Sequence, residues 1–362
     1  MRLILLGTGP FAVPTCQQLL EDGHDIALVV TRPVADPQAK KLPPRPLYQW
    51  ASQAGLEIYQ PTSINAPDAI ERLASLQADL MFVCDYGQIL SKACLAVTRL
   101  GGINLHGSLL PRHRGAAPVQ WTLLSGDVEA GVTVIHMTPG LDAGPSLAKA
   151  RTEIFEDESA EELEPRLARL GVAATQQAIA ELADWDGCSP IGAIQSPDQV
   201  TKAPRFAKRD GQLDFRRTAV QLARQVRACQ PWPSTFAELV WPGGKTMRLL
   251  IKAARAIPQT LPELAQARQG TVAVVDTKLS DLWQPEAEGP TASDLGYSHW
   301  SDPWQRVLAV ATGQGTVLIG RVGPAGKREM SVDEFLRGHP IADTAQFTLP
   351  AGDNSLVHGV ES

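Results

Sequence analysis

The sequence predicts an α/β first half with a parallel-rich sheet, followed by a smaller β-rich domain. Three observations carry that reading. Short apolar runs at 2–6, 25–30 and 80–84 alternate with helical periodicity at 11–21, 47–54 and 68–76, as in a parallel sheet covered on both faces. A stretch at 184–204, rich in Pro, Ser, Gly and Asp, interrupts that pattern and reads as a linker. Beyond it, one helix at 218–228 is followed by short strand-like runs out to Val322, the pattern of a β domain.

The elements follow in order. Residues 2–6 form a buried strand, Gly7-Thr8-Gly9-Pro10 a turn, and 11–21 a helix. The strand at 25–30 leads into a proline-rich loop, Thr31 to Pro46, carrying Lys40, Lys41 and Arg45. A helix at 47–54 and a short strand at 57–59 precede the helix at 68–76, where Asp68 is placed to cap the start. Strands at 80–84 and 102–105 follow, then a short helix at 118–125 and an alternating strand at 131–137. Residues 161–182 form a long helix, acidic at its start, and 277–304 read as an insertion loop with few strand formers.

Composition narrows the function classes. The 362 residues, 44% of them apolar, suffice for two cored domains at ~100–200 residues each. No apolar run approaches the ~18 residues of a membrane span, and the first apolar run stops at Gly7, too short for a signal peptide. The five cysteines, Cys16, Cys84, Cys94, Cys188 and Cys229, are odd in number and widely spaced. That argues against a disulfide framework or a zinc site and for a reducing cytoplasm. Net charge is −6, but residues 151–200 hold eleven acids against three bases, and 201–255 hold twelve bases against three acids. Such a basic block serves either as a footprint for a phosphate backbone or as a solvated, salt-bridged surface.

Two constellations carry chemistry. Gly7-Thr8-Gly9-Pro10-Phe11-Ala12 matches the glycine-rich turn of dinucleotide sites. A nicotinamide oxidoreductase is therefore a rival reading, with Arg32 available to a 2′-phosphate. Pro10 counts against it, because it removes a backbone donor where a phosphate needs one. The second constellation is more informative. Asn104 and His106, two apart, face the same side of a strand that ends in Gly107. Asp142 sits between Gly140 and Gly144 in a tight loop. An amide, an imidazole and a carboxylate suit acyl transfer to an amine. The amide donates to the oxygen that gains charge, the imidazole titrates near neutrality, and the carboxylate orients it or receives charge from the amine. No G-x-S-x-G nucleophile elbow is present.

The run Asn104-x-His106-x-Ser108-Leu109-Leu110-Pro111-Arg112-x-Arg114-Gly115-Ala116-Ala117-Pro118, with Asp142 further on, resembles the formyltransferase family that uses 10-formyltetrahydrofolate. Phe11-Ala12-Val13-Pro14, Gln230-Pro231-Trp232-Pro233, and Lys327-Arg328-Glu329-Met330-Ser331 leading to Phe335-Leu336-Arg337-Gly338 are similar to its tRNA-acting branch. The resemblance spans roughly residues 1–340. It implies a Rossmann-like formyltransferase domain at 1–183, a linker at 184–204, an OB-like tRNA-binding domain at 205–340 and a tail at 341–362. It implies transfer of a formyl group from 10-formyltetrahydrofolate to the α-amino group of methionine on initiator tRNA, through a tetrahedral intermediate. A monomer is expected.

The same resemblance implies catalytic roles for Asn104, His106 and Asp142. It implies a folate site at Ser108, Leu109, Leu110, Pro111, Asp85, Tyr86 and Gly87, and no metal. The tRNA contacts expected are Lys40, Lys41, Arg45, Lys202, Arg205, Lys208 and Arg209, with Arg224 and Arg227 in the same basic block. Two departures stand out: His113 replaces the usual tyrosine, and Thr31–Leu42 lacks a glycine and arginine pair before Lys40. A formyltransferase acting on a small amine, an amino sugar or a purine precursor, is the nearest alternative.

Overall fold

The computed structural model describes residues 1–34, 36, 38, 43–276, 306–341 and 345–352. Lys40, Lys41 and the insertion expected at 277–304 lie outside the described residues. The chain divides into two compact units. One comprises 1–118, 129–153 and 164–204; the other comprises 119–128, 154–163 and 205 onward.

The first unit holds β1 (Arg2–Gly7), α1 (Val13–Glu21), β2 (Asp25–Val30), α2 (Pro46–Gln53), β3 (Ile58–Tyr59), α3 (Pro67–Ser75), β4 (Leu80–Cys84), α4 (Lys92–Leu95) and β5 (Gly102–His106). Next come β6 (Arg114–Gly115), α5 (Pro118–Ser125), β7 (Glu129–His136), β8 (Ser146–Glu153), α6 (Ala160–Ala183) and β9 (Lys202–Ala203). Of these, most of α5 and the first residues of α6 group with the second unit. The main sheet runs β3-β2-β1-β4-β5-β7-β8. Its first five strands pair in parallel and the last two join antiparallel.

Central strands of such a sheet are covered on both faces, and Leu3 to Leu6 and Leu80 to Phe82 are fully buried. The chain leaves β1 toward β2 on one side and reaches β4 on the other, so a topological switch lies between β1 and β4. Ligands of open α/β sheets bind outside strand carboxyl ends at such a switch. Gly7 pairs with Cys84, and Val83 with Asn104, so Thr8, Asp85 and His106 emerge at one edge.

The start of α3 differs from expectation. The capping position is Ala66, and Asp68 lies inside the first turn without a capping hydrogen bond. Pro67 sets the start instead, since its fixed φ suits a first helical position.

The second unit adds α7 (Ala219–Ala228), β10 (Thr235–Val240), β11 (Thr246–Ile257), β12 (Val272–Asp276), β13 (Arg306–Ala311), β14 (Thr316–Pro324), β15 (Met330–Ser331), α8 (Val332–Gly338) and β16 (Gln346–Phe347). An antiparallel sheet runs β12-β13-β14-β11-β10-β16. Irregular register at Ile251, Ala253 and Ala254 lets the long β11 bend, as bulges do. A bridge between Thr271 and Gln346 joins the two edges, and the sheet curls into an OB-like barrel. Leu239, Ile251, Ile319, Phe335 and Phe347 fill its core. The stretch expected as a tail therefore contributes its early residues to the fold: Ala345 and Phe347 are buried, and β16 covers an edge.

Candidate active site

The site lies within the first unit, where β5 carries Asn104 and His106 on one face. Antiparallel pairing sets Asn104 opposite Ile135 and His106 opposite Thr133. Asn104 is half-buried, and its amide makes no side-chain hydrogen bond among the described residues. His106 is 6% exposed. Its Nε2 lies 2.9 Å from the carbonyl oxygen of His113. A carbonyl only accepts, so Nε2 carries the hydrogen and Nδ1 is the nitrogen left for chemistry.

Nδ1 faces Asp142, with Oδ2 3.8 Å away. That is too long for a direct hydrogen bond and short enough for a proton-bearing atom to bridge. The same Oδ2 accepts the Gly115 N–H at 2.9 Å. Gly115 is held by β6, which pairs in parallel with β9. Its φ is +134°, and an added Cβ would lie 2.5 Å from the Ala203 carbonyl oxygen. Only glycine lets the two strands approach this closely.

Gln195 completes the support. Its amide nitrogen donates to the carbonyls of Asp142 (2.8 Å) and Gly144 (2.7 Å), and its oxygen accepts from Arg114 Nε and Nη2. His113 is fixed in turn: its N–H donates to Thr201 Oγ1, which lies 3.3 Å from its own Nδ1. The segment read as a linker thus lines the site. Asp85, His113 and Asp142 all have left-handed backbone, with φ of 52°, 61° and 49°. Such conformations cost about 1–3 kcal/mol and cluster at functional sites.

Asp85 is exposed at the strand end, with protein packed around its carboxyl. That enclosure raises its carboxyl above the ordinary range, and His106 opposes the rise. Glu164 on α6 is pushed up to about 7, by burial first and by Asp85 second. Thr8 Oγ1, on the turn facing Asp85, is buried with no partner. The glycines of that turn have a packing reason: a Cβ at Gly7 would lie 2.6 Å from the Cys84 carbonyl oxygen. They allow β1 to approach β4.

The segment implied as the folate site is mostly committed inward. Ser108 Oγ donates to the Arg112 carbonyl, and Thr133 Oγ1 donates to the Ser108 carbonyl while accepting the Leu110 N–H. Lys149 donates to the Leu110 carbonyl, and Leu110 and Pro111 are buried. Leu109 is half-buried. Tyr86 is buried with an unpartnered hydroxyl, while Gly87 is exposed and its carbonyl accepts from Arg32. Asn104's amide and the exposed Asp85 carboxyl leave polar groups at one sheet edge. Leu141, exposed beside Asp142, adds an apolar surface.

The basic residues separate. Lys202, Arg205, Lys208 and Arg209 are all exposed. Arg45 is half-buried and stacks on Tyr48, 3.6 Å from the ring centroid. Arg224 packs over Gly126. Arg227 departs from the surface role expected of it. Its Nη1 donates to the Glu158 carbonyl, and burial pulls its pKa down, so it serves the interior. Among the described residues, no group of three or more His, Cys, Asp or Glu could hold a metal, and no helix is long and apolar enough to cross a membrane.

The sequence alone assigns no role to Gln195, Thr201 or the His113 carbonyl, and it carries Gly115 inside the main motif without a role of its own.

Comparison with known proteins places this geometry. Residues 1–179 match the formyl transferase family, and 205–283 match the formyl transferase C-terminal domain. Methionyl-tRNA formyltransferase of Rhodopirellula baltica is 42% identical over 97% of both chains. That of Methylococcus capsulatus is 36% identical over 94% of this chain and 98% of its own. The fold is similar to a Helicobacter canadensis N-formyltransferase solved with folinic acid and dTDP-3-aminofucose. Its TM-score is 0.58 at 13% identity, covering 88% of this chain and 98% of that one. With its relatives matched along nearly their whole length, the chain belongs to the formyl transferase family, among the methionyl-tRNA formyltransferases.

Proposed function

We propose that this enzyme, which transfers a formyl group from 10-formyltetrahydrofolate to the α-amino group of methionyl-initiator tRNA, does so with Asn104, His106 and Asp142. The folate is a substrate, and it supplies an activated formyl carbon. The amine nitrogen attacks that carbon, a new C–N bond forms, and the C–N10 bond breaks. The amine loses a proton and N10 gains one.

The observation that carries the reading is the pinned imidazole. Because Nε2–H is given to His113, Nδ1 is the position that accepts or returns the proton. Asn104's unpaired amide donates to the formyl oxygen as its charge grows. Asp142, with Oδ2 3.8 Å from Nδ1, is near enough for one amine beside the pair to contact both groups, and it takes up the amine's developing positive charge. The carboxylate therefore receives charge, and the His113 carbonyl does the orienting. The exposed Arg205, Lys208 and Arg209, with Lys202, serve the tRNA backbone, and the barrel domain carries the RNA. Asp85, Gly87 and the turn after β5 line the folate side.

The three reacting groups come from one chain and one unit, which supports a monomer. The cysteine pattern supports a cytoplasmic enzyme. Labelled formyl transfer to charged initiator tRNA, set against an amino sugar and a purine precursor, tests the acceptor. Equal transfer to a small amine would overturn it.

A further inference from the structure

We propose that Gln195 is a positioning residue for formyl transfer: its side-chain amide locks the Asp142 loop so that the carboxylate faces His106 Nδ1. The proposal rests on the role just given to Asp142.

Gln195 is 8% exposed and fully matched. Both N–H donors are spent on the carbonyls of Asp142 and Gly144, and Oε1 accepts twice from Arg114. A primary amide has two donors and two acceptor sites, so none is left over and the amide cannot flip. The position of its partners gives this matching a consequence. Arg114 directly precedes Gly115, whose N–H holds Asp142 Oδ2. One side chain thus ties the backbone that bears the carboxylate to the backbone that grips it. The tie also helps hold Asp142's backbone at φ +49°, a left-handed conformation that an L-residue adopts at some cost. Without the two donors, the loop is free to relax and the carboxylate to turn from Nδ1.

Gln195's own placement is fixed from both sides. Ala193 exchanges two backbone hydrogen bonds of 2.8 Å with Ser146. Downstream, Thr201 accepts the His113 N–H, and β9 pairs with β6. The stretch 193–203 is a strap across the catalytic loops, anchored at each end.

The test is a kinetic double-mutant cycle on the full-length enzyme. Gln195→Glu keeps the acceptor for Arg114 and the side-chain volume but removes both donors. Gln195→Met removes them without adding charge. Losing buried hydrogen bonds of this kind should lower kcat about ten- to a hundredfold. KM for the folate donor and for methionyl-tRNA should stay within about twofold, since neither substrate is touched. In an Asp142→Asn background the same substitutions should change kcat by less than about twofold, because the group they position is already gone.

Either of two results overturns the proposal: kcat near the parent value in both Gln195 variants, or a full additional loss on top of Asp142→Asn. If Asp142→Asn itself leaves kcat unchanged, the failure lies in the role given to Asp142 and not in the strap.

Discussion

His106 spends its Nε2–H on the carbonyl of His113, 2.9 Å away, and so leaves Nδ1 turned toward Asp142. The orienting group is a backbone atom, held by a residue with left-handed φ. Proton-detected nitrogen spectra of the neutral imidazole should report the Nε2–H form. Finding the proton on Nδ1 would reverse the roles of the two nitrogens. A substitution at position 113 that keeps the backbone path, such as His113→Asn, should preserve that tautomer, because asparagine tolerates positive φ.

Asn104 is the simplest site to separate from stability. Its amide makes no side-chain hydrogen bond among the described residues, so Asn104→Ala should leave the melting temperature within a few degrees of the parent. One oxyanion donor is typically worth about 2.7–4 kcal/mol, so kcat should fall about a hundred- to a thousandfold. A rate within tenfold of the parent would remove Asn104 from the reaction.

Gly115→Ala tests how the carboxylate is held. The added Cβ would meet the Ala203 carbonyl oxygen at 2.5 Å, and φ is +134°. The β6–β9 pairing must part, and the N–H that holds Asp142 Oδ2 moves with it. Stability should drop by about 1–3 kcal/mol, and kcat should fall further than denaturant curves alone explain. A fully active, fully stable variant would show that this contact is dispensable.

Much of this architecture is legible in the sequence, for physical reasons. Buried parallel strands demand unbroken apolar runs, so β1, β2 and β4 stand out. Asn104 and His106 are visible because two polar side chains on one strand face, ending in glycine, fit poorly in a core. Asp142 is visible because its flanking glycines mark a close approach. The His113 carbonyl is invisible, since a backbone atom leaves no residue signature. Gln195 lies in a polar, proline-rich stretch that looks solvated, and its burial depends on partners about 50 to 80 residues away in the chain. β16 is only two residues long and closes the barrel through distant Thr271, which local pattern cannot announce. Glu164 follows an acidic helix start and reads as a wet surface until the fold encloses it.

That enclosure gives a pH prediction. Burial, and then Asp85, raise the Glu164 carboxyl from 4.5 to about 7. Below pH 4.5 the folded and unfolded chains both hold this proton. Between 4.5 and 7 the unfolded chain releases it while the folded chain keeps it, so stability falls as pH rises. Above 7 the loss is complete, about 3 kcal/mol. Glu164→Gln should therefore stabilise the protein at pH 8 by about that amount and change little at pH 4. Equal effects at both pH values in urea titrations would mean that the ionised carboxylate is not the source of the strain.

The exposed bases make the last prediction. Arg205, Lys208 and Arg209 belong to one unit and point to solvent, and the only ion pair among these three in the described structure is Arg209 with Asp210 at a loose 3.9 Å. If they neutralise tRNA phosphates, each releases condensed counterions, and log affinity should fall with log salt by about 0.7–0.9 per contact. Replacing all three by glutamine should flatten the salt dependence of methionyl-tRNA binding by about 2–3 units of slope. KM for the folate donor should not move, because the residues proposed for that site are other than these three. An unchanged slope would assign the basic block to surface solvation and leave the acceptor's grip to be sought elsewhere on the barrel.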